Sequence, residues 1–256
     1  MEALGHKGVE AVAISFLWSF NNPDHEQKVK KRIQEKYPQF FISASSDICP
    51  MFGEYERTST TVINSFVGPL LARYGKLLEE ELKKRGLAVK PLIMKSDGGT
   101  AYIDEAVEKA VLTLYSGPAA GVIGALDIGE RLKCKNLICF DMGGTSTDVG
   151  IIYDGRAIET QSTKINRQPV LTPMININSV GAGGGSIAWV DPGKVLKVGP
   201  MSAGAEPGPA CYGKGGTEPT VTDADILLGY INPDYFLGGK IRLNRNLAEK
   251  AIRVPG

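Results

Sequence analysis

Soft metal ligands are scarce in this chain: 256 residues carry two histidines and four cysteines. Cys49, Cys134, Cys139 and Cys211 lack the paired spacing of a structural zinc site, and His6 and His25 have no second ligand set nearby. A zinc or histidine-based centre is therefore not expected, and the thiols read as mostly free and buried, Cys139 within a core strand. No apolar run is long enough to span a bilayer and no secretory leader is visible, so the expectation is a cytoplasmic protein without a membrane partner. Neither sign of charge is in excess: 29 Lys and Arg face 28 Asp and Glu, a formal net charge of +1. That balance disfavours bulk electrostatic binding to nucleic acid or to an anionic membrane. Basic residues do gather at 28–36 and 83–90, yet Glu is interspersed at helical spacing, which reads as solvated helix faces. No Ser-His-Asp or Cys-His arrangement for nucleophilic catalysis can be assembled.

What is present is more telling. Hydrophobic residues make up 43% of the chain, enough for one large core or two moderate ones. The most informative run is Asp141-Met142-Gly143-Gly144-Thr145-Ser146-Thr147-Asp148, flanked by the apolar runs 137–140 and 149–153. Asp154-Gly155 then supplies hairpin-turn chemistry before a third stretch at 156–160, so 136–161 is expected to form three consecutive antiparallel strands. Adjacent glycines let a turn backbone approach a ligand and direct its N–H groups outward, which suits phosphate oxygens. Thr145, Ser146 and Thr147 add hydroxyl donors, and Asp141 and Asp148 offer hard oxygens for Mg²⁺ or its waters. The same composition also makes an ordinary turn, so the octet alone leaves both readings open. It is not a P-loop, because no Gly-Lys-Ser/Thr follows.

Context and a second glycine tract extend this reading. Upstream, Ser116 to Gly121 begins a small-residue helical run through Ile128, with Pro118 in its first turn. Downstream, Gly183-Gly184-Gly185-Ser186 carries an entropic cost on ordering that calls for a geometric reason: lining a phosphate or substrate cleft, or a tight packing turn without a ligand. Cleft lining is the reading preferred, because the tract follows the octet closely. Ser96-Asp97-Gly98-Gly99 ends a short strand, where open α/β folds place ligand contacts, and Asp97 is kept as a candidate polar site residue. Arg57 is read first as half of a buried ion pair, and His25 and Glu26 as helix-start residues.

The remaining elements follow from periodicity. A strand is expected over 9–20, helices at 24–37 and 54–86, short strands at 40–43 and 91–94, and helices at 104–114 and 118–132. In the 54–86 helix, Val62, Phe66, Leu70, Leu71 and Tyr74 form one apolar stripe and Gly86 a stop. Glycine and proline dominate 162–221, with strand-like pieces at 188–190 and 194–198, before helices at 222–229 and 246–252. The class is mixed α/β.

A small-residue helix, a short strand and an Asp-x-Gly-Gly-Thr hairpin, in that order, resemble the actin, sugar-kinase and heat-shock-chaperone ATPase superfamily. A closer resemblance covers nearly the whole chain. It rests on Asn22-Pro23-Asp24-His25-Glu26, on 56–60, 95–99 and 116–121, on the octet, and on 179–186, 199–205, 207–213 and 219–224. These motifs resemble the A subunit of the hydantoinase, 5-oxoprolinase and acetone carboxylase family, of N-methylhydantoinase-like type. The resemblance implies an actin-like (ribonuclease H-like) ATPase fold, here incomplete, with parts of two lobes. Residues 1–132 would be the remainder of a first lobe, with an inserted helical segment and a connecting helix. Residues 133–256 would begin the second, with the phosphate-loop hairpin and the Gly/Pro-rich region. No second Asp-x-Gly-Gly-Thr hairpin precedes residue 140, so the chain is expected to be an internal piece of a larger subunit.

The implied activity, carried by the full-length subunit, is ATP-dependent hydrolysis of a cyclic amide, with ATP and Mg²⁺ as cofactors, and this piece by itself is expected not to turn over substrate. Gly143, Gly144, Thr145 and Ser146 would hold phosphate oxygens and Asp141 would order Mg²⁺ through water. Asp148 and Gly183, Gly184, Gly185 and Ser186 would complete the nucleotide site. A B subunit is the implied partner for the hydrolytic step, and self-association of the piece is expected. The motifs do not choose among hydantoin, 5-oxoproline, another lactam or a ketone. Two alternatives are a small-molecule or acyl kinase of the same superfamily, and a non-catalytic ATP-binding interaction module.

Overall fold

A computed structural model describes residues 2–253 of the chain. After a single helical turn, α1 (Glu2–Gly5), strand β1 (Ala11–Ile14) leads into helix α2 (Asp24–Lys36) and strand β2 (Phe41–Ala44). β1 and β2 pair in parallel, Ala11 opposite Phe41, as a strand–helix–strand unit requires. β1 stops well short of the 9–20 strand expected from its apolar run. Trp18 takes a positive φ of 58°, and its carbonyl accepts from the Asn21 and Asn22 N–H groups, turning the chain after β1.

Helix α3 (Ser45–Ile48) and the long helix α4 (Glu54–Lys84) follow. The apolar stripe of α4 does not face the core: Phe66 is 74% exposed and Leu70 50%. The buried face is instead small and polar, with Arg57, Thr60, Thr61, Asn64, Ser65, Gly68 and Gly75. Glycine matters here by absence of bulk, since a Cβ on Gly68 would overlap the Phe41 ring and one on Gly75 the Ile103 side chain. Apart from the Ser65 hydroxyl, these polar groups are paired. Arg57 donates to the Ser45 hydroxyl (3.1 Å) and to the carbonyls of Met51 and Phe16 (3.0 and 2.8 Å). Glu26, fully buried, accepts from the Phe16 N–H, the Ser45 hydroxyl and the Ser46 N–H.

Strands β3 (Leu92–Met94) and β4 (Thr100–Tyr102) form an antiparallel pair, then helix α5 (Ile103–Glu108) gives way to a 3₁₀ turn at Ala110–Thr113. A single helix over 104–114 was the expectation. The Asn64 side chain breaks it: its amide donates to the Glu108 carbonyl (3.1 Å) and its oxygen accepts the Val111 N–H (3.0 Å). Helix α6 (Ser116–Leu132) then leads to strands β5 (Leu137–Met142), β6 (Thr147–Tyr153) and β7 (Arg156–Ala157). β5 and β6 are neighbours across a turn too short for anything but an antiparallel hairpin, and β6 pairs antiparallel with β7. The third strand is briefer than expected, because β8 (Glu159–Thr160) leaves it to pair with β11 (Met174–Ile175).

Between β8 and β11 lies a hairpin of β9 (Thr163–Ile165) and β10 (Gln168–Val170). After β11, strand β12 (Ile177–Val180) joins the other edge of β6, and β13 (Ser186–Val190) pairs with β14 (Leu196–Ser202). Helices α7 (Val221–Leu228) and α8 (Arg245–Ile252) complete the chain order.

By packing, the chain divides into two compact units. One takes the chain up to Leu137 together with Ile151–Asn176, and the other takes Ile138–Gly150 and the chain from Ile177 onward. The 132/133 lobe boundary expected from the sequence lies inside the first unit's range. The first core includes Ile14, Ala44, Val111, Val122, Ile152 and Val170. The second is built on Cys211, Ile226, Leu243 and Ala248, with Tyr212, Ile231 and Phe236 packed against it. No helix among the described residues is long and apolar enough to cross a membrane.

Candidate functional site

The β5–β6 turn and the later glycine tract meet in the second unit. The Gly184 N–H donates to the Gly143 carbonyl (2.9 Å) and the Gly185 N–H to the Gly144 carbonyl (2.7 Å). Close approach is what requires glycine in the tract. A Cβ on Gly183 would lie 2.6 Å from the Ser146 nitrogen, and one on Gly185 3.0 Å from the Gly144 carbonyl oxygen. Gly144 is different: a Cβ there meets nothing within 4 Å, and its φ is not positive. Its lack of a side chain leaves open space beside the turn instead of serving the packing.

That space is a cleft of about 580 Å³. Gly143, Gly144, Thr145, Gly184 and Gly185 form one wall, Thr222 and Asp225 come from α7, and Tyr212, Ile231 and Phe236 form an apolar end. Tyr212 and Phe236 are in tilted ring contact, centroids 5.6 Å apart. Among the described residues the N–H groups of Gly144 and Thr145 have no backbone acceptor, and both residues line the cleft.

α7 is locked to the glycine tract at its first turn, where the Thr222 N–H and hydroxyl both donate to the Gly184 carbonyl at 2.8 Å. Thr220 and Asp223 cap the helix reciprocally. The fully buried Asp223 also accepts from the Cys211 N–H (2.8 Å) and the Thr220 hydroxyl (2.8 Å). Beside it, burial pushes the Cys211 thiol well above its ordinary pKa, with the Asp223 carboxylate adding to the shift. Burial also raises the pKa of Asp225, whose carboxylate has neither a side-chain hydrogen bond nor a charge partner among the described residues.

The other residues singled out in the sequence are not among those lining this cleft. Gly183 and Ser186 are buried behind the cleft wall, where the Ser186 hydroxyl accepts the Gly183 N–H at 2.8 Å. Ser146 closes the turn, its carbonyl accepting the Gly143 N–H at 2.8 Å. Asp141 is exposed at the end of β5, and Asp148 on β6 accepts from the Ser179 hydroxyl. Asp97 belongs to the first unit, where its carboxylate accepts from the Gly99 N–H (2.9 Å) and pairs with Lys95 (3.0 Å). It borders a separate cavity of about 450 Å³ with Arg156 and Glu159. Among the described residues no three His, Cys, Asp or Glu side chains gather as a metal-holding group. Sequence reasoning missed Thr222, Asp225, Tyr212, Ile231 and Phe236. The signals near them were the motifs at 207–213, which contains Tyr212, and 219–224, and neither pattern gives direction to its side chains.

Comparison with known proteins identifies the lineage. A model described as hydantoinase/oxoprolinase matches residues 57–255, and one for the hydantoinase/oxoprolinase N-terminal region matches residues 1–37. Caprolactamase subunit alpha of Pseudomonas jessenii is 43% identical over 96% of this chain and 35% of its own length. The acetophenone carboxylase gamma subunit of Aromatoleum aromaticum is 41% identical over 99% of this chain and 35% of its own. The crystal structure of the ATP-dependent caprolactamase from Pseudomonas jessenii superposes with a TM-score of 0.82 at 42% identity, covering 98% of this chain and 36% of that one. The nucleotide-free structure of acetone carboxylase gives a TM-score of 0.76 at 33% identity, again covering 98% of this chain and 36% of that one. The chain thus spans about a third of the length of these relatives. With the family model matching most of its length, the chain belongs to the hydantoinase/oxoprolinase family.

Proposed function

We propose that the second-unit cleft binds the phosphates of ATP, and that the chain is the nucleotide-binding part of a subunit that activates a cyclic amide for hydrolytic ring opening. The observation that carries this is the convergence of two glycine tracts, 143–144 and 184–185, on one cleft with unpaired N–H donors. Backbone donors fixed in place suit phosphate oxygens, since they need no reorganisation when charge arrives. The apolar end at Tyr212, Ile231 and Phe236 suits a flat nucleobase. The relatives described as ATP-dependent support nucleotide use.

Within this reading Gly143, Gly144, Thr145 and Ser146 hold phosphate oxygens, Gly184 and Gly185 line the cleft beside them, and Gly183 and Ser186 support the tract. Hard carboxylate oxygens fit Mg²⁺ of the kind that keeps most of its waters, with exposed Asp141 taking a water-mediated role and Asp148 oriented by the Ser179 hydroxyl. ATP, when bound, supplies a phosphoryl group that makes the amide oxygen a better leaving group. The chain's own part is to orient the phosphates and exclude water from one side of them. An actin-like ATPase fold, with residues 1–132 and 133–256 contributing to its two lobes, is the architecture this reading favours. A B-type partner subunit would carry the hydrolytic step, a reading supported by relatives that are themselves named as subunits. Carboxylation of a ketone is the second reading, supported by the acetophenone and acetone carboxylase relatives.

The test uses Gly144→Val, which fills the cleft without touching the packing. In the full-length subunit with its partner it should abolish ATP binding by calorimetry and lactam-dependent ADP release while leaving the circular dichroism spectrum and melting temperature unchanged. Unaltered ATP binding by this variant would remove the turn from the nucleotide site. Release of a phosphorylated small molecule without a partner subunit would mark a kinase instead.

A further inference from the structure

Helix α7 carries two carboxylates with opposite fates. Asp223 is consumed by the fold: fully buried, it accepts from Cys211, Thr220 and Ala210 and closes the helix cap. Asp225 faces the cleft, and among the described residues it takes part in neither a side-chain hydrogen bond nor an ion pair. A partly desolvated carboxylate without a partner is costly, so one facing a ligand cleft calls for a donor from the ligand.

Its place in the cleft limits what that donor is. Thr222 is anchored to Gly184, whose own N–H is anchored to Gly143, so the first turn of α7 abuts the phosphate-binding turn. Asp225 lies on the same helix face three residues on, about 4.5 Å farther along the axis. α7 then ends at Gly229, whose φ is 81°, and the Tyr230 N–H returns to the Asp225 carbonyl at 2.8 Å. That return brings Ile231 to the apolar end beside Phe236. The order along the cleft is therefore phosphate turn, Thr222, Asp225, apolar end. In a nucleotide laid along that order, the group between phosphate and base is the ribose. A carboxylate repels phosphates but accepts well from a vicinal diol.

We infer that the Asp225 carboxylate accepts hydrogen bonds from the ribose hydroxyls of the bound nucleotide, and so makes the cleft selective for ribonucleotides. This rests on the ATP reading of the cleft. A lone carboxylate also serves metal ions, but no second or third acidic, Cys or His side chain joins it in a metal-holding group among the described residues.

The experiment is calorimetric titration of the full chain and its Asp225→Ala variant with ATP, 2′-deoxy-ATP, 3′-deoxy-ATP and inorganic tripolyphosphate, each with and without Mg²⁺. Because the carboxylate takes no part in the fold, the variant should keep the wild-type circular dichroism spectrum. Asp225→Ala should weaken ATP about tenfold, as expected for a hydrogen bond to a charged group. The wild type should disfavour at least one deoxy analogue by a similar factor, the variant should lose that preference, and tripolyphosphate should bind both equally. Equal weakening of ATP and both deoxy analogues, or a penalty that vanishes without Mg²⁺, overturns the assignment while leaving the cleft reading standing. A wild-type chain that binds neither ATP nor tripolyphosphate overturns the cleft reading, and this assignment with it.

Discussion

Glu26 shows how a single buried charge is made tolerable. Burial by itself would raise its pKa, yet hydrogen bonds from Ser45, Ser46 and Phe16 outweigh that and hold it below its ordinary value. The folded state therefore binds this proton less readily than the unfolded chain does. Its stabilising contribution is complete above the unfolded carboxylate pKa and is lost as pH falls through the lower, folded value. Urea midpoints measured from pH 7 down to pH 3 should decline on the acid side, and Glu26→Gln should flatten part of that decline. An unchanged acid limb in the variant would show that other carboxylates dominate. Asp141→Asn tests the proposed magnesium role: being exposed, the substitution should leave the melting temperature unaltered while Mg²⁺-dependent ATP turnover falls at least tenfold. Normal turnover would remove Asp141 from the site.

At the level of one element, α4 inverts the usual rule for a helix. Its buried face carries Thr60, Thr61 and Asn64, and its large apolar residues point outward. Periodicity located the helix correctly but could not say which stripe was inside, because the deciding features are complementary shapes elsewhere: the Phe41 ring against Gly68 and Ile103 against Gly75. Asn64 is the residue on which neighbouring elements depend, since it bonds Ser43, Glu108 and Val111 together. Asn64→Ala should destabilise by about 2–4 kcal/mol, leaving buried backbone groups unpaired. Phe66→Ser, at a 74% exposed site, should change stability by no more than about 0.5 kcal/mol. Chemical denaturation of the two variants checks the ranking, and a larger loss from Phe66→Ser would mean that its ring is covered.

Across the whole molecule, two cores are reported by two thiols. Cys49 and Cys211 are buried in different units, Cys139 is half-buried, and Cys134 is exposed. Burial also raises the pKa of Cys49, Cys139 and Cys211, which lowers their thiolate fraction. Native protein treated with a thiol reagent at neutral pH should label Cys134 promptly, and Cys49 and Cys211 only on unfolding. Rapid native labelling of Cys211 would show that the α7 cap and the cleft wall behind it open readily.

Chain-local signals sufficed for much of this protein. The β5–β6 hairpin, the start of α7 and the long α4 rest on turn chemistry, capping and periodicity, which act within a few residues. Sequence also pointed to both glycine tracts as neighbours of a ligand. It did not reveal that the second tract is held by hydrogen bonds to the first, because those bonds join residues about forty positions apart, whose meeting depends on how β12 and α7 pack. Nor did it separate Asp223 from Asp225. The two carboxylates have the same intrinsic chemistry, and the pitch of one helix turn aims the first into the fold and the second into the cleft.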